Sequence, residues 1–582
     1  MSKVKRPSPH SLRKTIIETV SRSGGHLASS LGAVDIICAL DEVFDFSHDR
    51  ILFDVGHQAY AYKLLTGRAA RFSSLRQFGG LAPFLDPDES PADVYHSGHA
   101  SDSLSIASGL ASARDLAGQD FKIVTVIGDA AITGGMAFEA LNQIGQRAQR
   151  MLIILNDNGM SISETAGAVA QYLSRIRLSP SYTKAKQGWT ERLSSDNPVE
   201  RSMAKAGMRA KNKLKELALP ENLFEDLGLT YYGPVDGHNL KALINTFNRI
   251  KDYPGPVLCH VRTRKGKGYP PAEANPSLFH GVGSFDVESG QITPDSDSRP
   301  TYTQVFSGEA LKLAATNPDL VALTAAMQDG TGLDPLQKSF PERCFDLGIA
   351  EEHSVAFAAG LAIGGKIPLV CIYSAFLQRA LDQIITDVCL PKLHVVFCID
   401  RAGLVGHDGP THHGAFDLAY LQGIPNLQII APATQIDLEE ALAYAVDRAE
   451  GPVAIRYARG AVCQAFEDLT RQGDIEVWPL GACFDLGAEV AQGLGARLRD
   501  PLWVKPLEAR PDASTKTIVT IEDGVLQNGF GEAVALAYPD IRVLRFGLPD
   551  RFVSFGSITE LREQIGLSSI HILQQVKAIL QV

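Results

Sequence analysis

The stretch from Phe121 to Asn158 constrains this chain more than any other. Phe121 to Ile127 (FKIVTVI) is a short β-branched run bounded by polar and glycine signals, so it reads as a buried parallel strand. Gly128 ends it. From Gly134 onward Met136, Phe138, Ala140, Leu141 and Ile144 recur at helical spacing, and the apolar run Met151 to Leu155 reads as the next strand. A strand, helix, strand unit of this kind belongs to an open α/β sheet, whose ligands bind outside the carboxyl ends of the strands. Asp129 and Asn158 each follow a strand and so reach one crevice. Both offer oxygen, and Mg²⁺ takes oxygen ligands completed by phosphate and water. Backbone N–H groups around Ala130 and Ala131, with a helix dipole behind them, suit an anion such as a diphosphate. A Gly-Asp pair after a strand is more often a capped turn, while Asn156-Asp157-Asn158 at the next strand end weighs toward a metal site. On the residues alone both readings stay open.

Composition narrows the class. A length of 582 residues suits three or four domains at about 150 residues each. The apolar content of 45% and charged content of 21% are those of an ordinary soluble protein. No apolar stretch is long enough to span a bilayer, and the start, MSKVKRPSPHSLRK, lacks the apolar core of a secretion signal. A cytoplasmic protein without a membrane partner is expected. A net charge of −11 argues against nucleic acid as a partner, so anionic substrates must be met by local arginines and histidines. The eight cysteines (38, 259, 344, 371, 389, 398, 463, 483) show no CxxC spacing and mostly sit in apolar runs such as VVFCI. They read as reduced core residues rather than zinc ligands or disulfides.

The expected fold class is α/β, in three domains. Residues 1–295 alternate strand and helix signals, with a polar, Lys- and Arg-rich insertion at about 160–225 that reads either as a mobile cover or as solvated helices. Pro294 to Thr301 (PDSDSRPT) marks a boundary. Residues 302–462 carry strand candidates LVALTA, CFDLGI, LVCIY, VVFCID and LQIIAP; residues 475–582 carry TIVTIED, RVLRFG and a closing helix near Ile570 to Ile579.

Longer strings then carry a resemblance. GDAAITGGMAFEALN with LNDNGMSIS resembles the cofactor signature of the transketolase-like thiamin-diphosphate enzymes, most closely the 1-deoxy-D-xylulose-5-phosphate synthase family. SRSGGHLASSLG, FDVGHQAYAYKLLTGR, GPVDGHN, GIAEEHSVAFAAGLAIGG, YSAFLQRALDQ, IDRAGLVGHDGPTHHGAFD and AIRYARG extend the match, in family order, from about residue 11 to about 460. The resemblance implies a diphosphate-binding first domain, a pyrimidine-binding second domain and a transketolase C-terminal-like third domain. It also implies a cofactor lying across two α/β domains, Mg²⁺ and a homodimer.

The activity so implied is condensation of pyruvate with D-glyceraldehyde 3-phosphate, with loss of CO₂, through a thiamin-diphosphate ylid and enamine. Carried over residue by residue, Asp129, Asn158 and the Met160 carbonyl hold Mg²⁺. His57, Gly98, His99, Ala100, Ala130, Ala131 and Tyr269 line the cofactor. Glu351 shares a proton with the aminopyrimidine, a task for a carboxyl with a raised pKa in an apolar setting. Two acids at a helix start, Glu351 and Glu352, would otherwise only complement the dipole. His26, His280 and His412 face the reacting carbons, where an imidazole can move protons. Arg401 and Arg459 match phosphate-holding positions, suited to a bidentate fork, with Tyr373, Arg379 and Asp408 beside them.

The chain departs from the family in places. Ala130 stands where glycine is usual, which predicts crowding at the diphosphate and poorer tolerance of positive φ. Gly159 stands where an acid is common, and Ser30 where glycine is usual. The segment ACFDLGAEVAQGLGARLRD predicts a shortened third domain. Ala130 and the shortened third domain motivate one alternative to an active synthase, a catalytically weakened paralogue with a regulatory or binding role; within the class the alternative is another transketolase-like activity, over which the His26 and His57 strings favour the synthase.

Overall fold

The computed structural model describes residues 6–159, 168–169, 171–172, 222–293, 297–464 and 473–581. The expected insertion therefore lies outside the described residues but for 168–169, 171–172 and 222–225, as does Met160. The chain divides into two compact units, Met1–Ser73 with Phe84–Ile292 and Ser74–Pro83 with Thr293–Val582.

In the first unit, β1 (Arg50–Phe53), β2 (Ile123–Gly128), β3 (Met151–Asp157), β4 (Thr230–Asp236) and β5 (Pro256–Arg262) form one sheet in the order β1-β2-β3-β5-β4. Every pairing is parallel, with Gly128 opposite Asn156. The loops that follow the five strands therefore gather along one edge. β2 starts two residues later than FKIVTVI suggests. The helix after it, Gly135–Gln146, buries Ala137, Ala140, Leu141 and Ile144, while Met136 is exposed. The inward stripe is thus set by Ala137, three residues before Ala140 and seven before Ile144, the spacing of one helical face.

The second unit begins with β6 (Leu320–Thr324), β7 (Cys344–Asp346), β8 (Ile367–Tyr373), β9 (Val396–Ala402), β10 (Gln428–Ile430) and β11 (Val453–Ala458). It continues with β12 (Ile475–Pro479), β13 (Arg497–Leu498), β14 (Trp503–Lys505), β15 (Thr517–Val525) and β16 (Arg542–Leu548). Two sheets result, β14-β10-β11-β9-β8-β6-β7 and β13-β12-β15-β16. All their pairings are parallel except β14 with β10. The CFDLGI candidate shrinks to three residues because the Asp346 carboxylate accepts the N–H groups of Ala326 and Gly348 and turns the chain. Within this unit Trp478, Leu480, Ile518 and Phe530 share a core with Val370, Phe397 and Ile429, so burial links the two sheets. The closing helix is Ser569–Leu580. All eight cysteines are free, six of them buried.

Candidate active site

Along the carboxyl edge of the five-stranded sheet, hydrogen bonds draw the separate motifs together. The buried Asp54 carboxylate, just past β1, accepts Ser101 N–H at 2.9 Å and the Ser103 hydroxyl at 2.6 Å, fixing the loop that carries Gly98, His99 and Ala100. Ser101 Oγ donates to the Ala131 carbonyl at 2.7 Å, and Val55 N–H to the His99 carbonyl at 3.2 Å. Ser30 is fully buried and its hydroxyl donates to the His57 carbonyl at 2.9 Å, so this departure from the family fastens the His57 turn.

His26, His57 and His280 form a cluster. Their ring centroids are 6.1 Å apart for His26–His57, 5.8 Å for His26–His280 and 5.5 Å for His57–His280. Backbone pairing of Gly25 with Val282, and of Ala28 N–H with the Phe279 carbonyl, brings the two distant segments together. Burial, then the neighbouring His26 and Lys265, hold His57 well below the ordinary imidazole range, and its Nδ1 is buried with no hydrogen bond. Tyr269 packs against Phe279 and Phe285, and its hydroxyl donates to the Val287 carbonyl at 3.0 Å.

Asp129 and Asn158 stand at the ends of β2 and β3. Asp129 is buried, and burial, with Asp157 adding to it, pushes its carboxyl up to about 6, a shift that a bound cation would reverse. Opposing this is Lys265, a residue the motif reading passed over. Burial lowers its ammonium to about 8, with Asp129 as its acidic neighbour. The basic, glycine-spaced run RTRKGKGY was its only signal. Ala130 has φ −76° and ψ −42°, an ordinary right-handed conformation. The expected intolerance of positive φ is thus corrected, because the turn does not ask for it. Gly159 does adopt positive φ, +73°, where an acidic side chain would be strained.

The second unit places its residues likewise at the ends of parallel strands. Glu351 opens the helix Glu351–Ile363 and is 5% exposed. Burial raises its carboxyl, against the opposing Arg379 guanidinium at 3.6 Å, and its Oε2 is buried with no hydrogen bond. Arg379 thus stands against Glu351. Tyr373 ends β8, and the Arg401 guanidinium lies 3.9 Å from its ring centroid. Burial pushes the Tyr373 hydroxyl up to about 12, with Arg401 opposing. A Cβ at Gly330 would collide with that hydroxyl, so a glycine is needed there. Phe376 packs on Tyr373 at 5.6 Å and on His412 at 5.5 Å. Asp408 pairs with Arg459 at 3.6 Å and, closer still, with Arg76 at 2.6 Å. Arg76 was not legible as a site residue.

In the first unit Asp129 and Asn158 put oxygen donors at adjacent strand ends, which suits the cation of a diphosphate, and in the second unit Glu351 is a buried acid with a raised pKa, which suits an aminopyrimidine. The fold and site define a thiamin-diphosphate-dependent transferase of the transketolase type. The 1-deoxy-D-xylulose-5-phosphate synthase family model matches residues 6–263, and that of the transketolase pyrimidine-binding domain residues 298–464. The 1-deoxy-D-xylulose-5-phosphate synthase of Carboxydothermus hydrogenoformans is 44% identical over 98% of this chain and 95% of its own. That of Syntrophus aciditrophicus is 46% identical over 98% and 92%. The chain belongs to the 1-deoxy-D-xylulose-5-phosphate synthase family. The transketolase structure from Campylobacter jejuni covers 98% of both chains at 16% identity and a TM-score of 0.44.

Proposed function

We propose that the protein condenses pyruvate with D-glyceraldehyde 3-phosphate, releasing CO₂ and forming 1-deoxy-D-xylulose 5-phosphate, the first step of non-mevalonate isoprenoid synthesis. The observation that carries this reading is Glu351, a buried acid at a helix start whose carboxyl burial raises even with Arg379 beside it. When bound, thiamin diphosphate supplies a nucleophilic carbon and a cationic ring that accepts the electron pair left by CO₂. Glu351 holds a proton toward the aminopyrimidine, a role that a solvated carboxylate fills poorly. Asp129 and Asn158 supply oxygen to Mg²⁺, with the Met160 carbonyl proposed as a third donor, and the N–H groups near Ala130 and Ala131 face the diphosphate.

His57, held neutral by burial, and His99 line the cofactor, with Gly98, Ala100 and Tyr269 beside them. His26, His280 and His412 move protons at the substrate oxygens. Arg401 and Arg459 bind the triose phosphate through planar forks, and Tyr373, Asp408 and Arg379 keep these cations and Glu351 in place. Residues 1–295, 302–462 and 475–582 serve as diphosphate, pyrimidine and shortened C-terminal domains.

Among the described residues no helix is long and apolar enough to cross a membrane. A homodimer in the cytoplasm completes the reading. Its support is the mostly apolar helix Glu351–Ile363, whose Ile363 is 75% exposed, as Leu390 nearby is 74% exposed, an apolar surface that a second copy would cover. The test is direct. Purified protein with thiamin diphosphate, Mg²⁺, pyruvate and D-glyceraldehyde 3-phosphate releases CO₂ and forms the ketose phosphate. Bound cofactor without turnover would sink the reading and leave a weakened paralogue.

A further inference from the structure

Behind the metal turn runs a polar chain that the reaction above does not use. Tyr231 on β4, His260 on β5 and Asp157 at the end of β3 are each no more than 1% exposed. The Tyr231 hydroxyl meets His260 Nδ1 at 2.6 Å, and His260 Nε2 meets Asp157 Oδ2 at 2.7 Å. The three strands are neighbours in the sheet, so the chain crosses its core directly. Polar groups buried this deeply lose their hydration, and apolar residues of like volume would serve packing alone as well or better.

What the chain reaches is the turn between the two candidate metal ligands. The other Asp157 oxygen, Oδ1, accepts the Gly159 N–H at 3.1 Å, and the same N–H lies 3.1 Å from Asp129 Oδ2. One amide is thus held between two carboxylates, with Asn158 immediately before it and φ of +73° at Gly159 itself. The flanking Asn156 is tied as well, its Oδ1 accepting the Thr263 hydroxyl at 2.6 Å. A carboxylate oxygen can only accept, so Nε2 donates to Asp157, while the Tyr231 hydroxyl holds the ring from its other nitrogen. Tyr231 and Asp157 thus fix the orientation of the ring between them.

We propose that Tyr231 and His260 are positioning residues for the cation, acting through Asp157 and the Gly159 N–H to preset Asn158 against Asp129. The proposal rests on the reading of Asp129 and Asn158 as ligands of the diphosphate-bound cation. Partners one bond behind a metal ligand typically alter metal affinity by roughly 10- to 100-fold, and His260, which acts through Asp157 and the Gly159 N–H, lies further back and has a smaller effect.

The test uses the full chain and Mn²⁺ as probe, with free Mn²⁺ read by its electron paramagnetic resonance signal in the presence of thiamin diphosphate. His260→Leu weakens Mn²⁺ binding by roughly three- to tenfold, below the range for a direct partner of a ligand, and raises the Mg²⁺ concentration needed for half-maximal turnover in step, while kcat at saturating metal changes far less. His260→Gln, whose amide nitrogen still donates toward Asp157, recovers part of the loss. Tyr231→Phe, which removes one hydroxyl, has a smaller effect of the same kind. Lowered melting temperatures with wild-type Mn²⁺ affinity would mean a folding role only and overturn the proposal. Should His260→Leu fail to fold, unchanged affinity in both of the other variants overturns it equally. Failure of the wild-type protein to bind Mn²⁺ with thiamin diphosphate would instead remove the metal-site reading beneath it.

Discussion

Arg76 and Asp408, 332 positions apart, meet at 2.6 Å, and the second oxygen of Asp408 faces Arg459 at 3.6 Å. One largely buried carboxylate is therefore shared by two guanidiniums, only one of which comes from the motifs around residue 459. The segment 74–83 brings Arg76 into the compact unit formed with residues 293–582. The Arg76 carbonyl also accepts from His407 Nδ1 at 3.0 Å, so the contact is held through backbone and side chain.

Arg76→Ala leaves Asp408 with Arg459 as its remaining partner in this pair and draws that fork away from phosphate. The expected result is a higher KM for D-glyceraldehyde 3-phosphate, by roughly tenfold or more, with a smaller effect on unphosphorylated glyceraldehyde. Stability falls by about 3 kcal/mol, as for a buried pair deprived of one member. Steady-state kinetics with both aldehydes and a denaturant titration check this. Equal losses on both aldehydes would detach Arg76 from the phosphate.

Glu351→Ala keeps diphosphate binding but lowers kcat by roughly 10²- to 10⁴-fold, the usual worth of a positioned acid or base. Calorimetric titration with thiamin diphosphate and Mg²⁺ separates the two effects. Near wild-type turnover would refute the assignment.

Ala130→Gly should leave thiamin-diphosphate affinity within about threefold, because the right-handed backbone at Ala130 does not need glycine. It lowers stability by about 0.5–1 kcal/mol through the freer unfolded chain. A gain of tenfold or more in affinity would show that the methyl group crowds the diphosphate after all.

Stability should depend on pH through Glu522. Its carboxylate accepts the N–H groups of Phe530 and Gly531, both at 2.8 Å, at the start of the helix Phe530–Ala537. Burial nevertheless pushes it up to about 8; Asp523 adds to the shift, while those N–H groups and Arg456 oppose it. The folded group thus holds its proton at pH values where the unfolded one, at 4.5, has lost it. Stability is greatest below the unfolded value and is lost as pH rises toward about 8, by up to about 1.4 kcal/mol per pH unit. Glu522→Gln flattens that slope between pH 5 and about 8 in chemical unfolding of the cofactor-free protein, whatever its effect on stability at one pH. An unchanged slope would show that other groups govern it.

The local signals were legible because they are local. β-branched runs made β2 and β3 readable, and Gly128 marked the end of the first, since strand propensity and turn chemistry act within a few residues. Glu351 at a helix start and Asp129 after a strand were visible for the same reason. The two-residue β13 was not, because pairing with a neighbour, rather than its own composition, makes it a strand, and the CFDLGI candidate ran past the three-residue β7 that it contains. Helical spacing placed Gly135–Gln146 but not its inward face, and Met136 is exposed because what packs against a helix decides which side is buried.

The sequence by itself determined the α/β class and the family. Only the tertiary structure decided that Arg76 joins Asp408, that Lys265 faces Asp129, that Ser30 fastens His57, and that Tyr231 and His260 stand behind Asp157. Each of these is a long-range contact of a side chain whose own neighbours in the chain say nothing of it. Burial then turns such proximity into chemistry, because with water excluded a carboxyl, an imidazole or an ammonium takes its pKa and its hydrogen bonds from whatever the fold sets beside it.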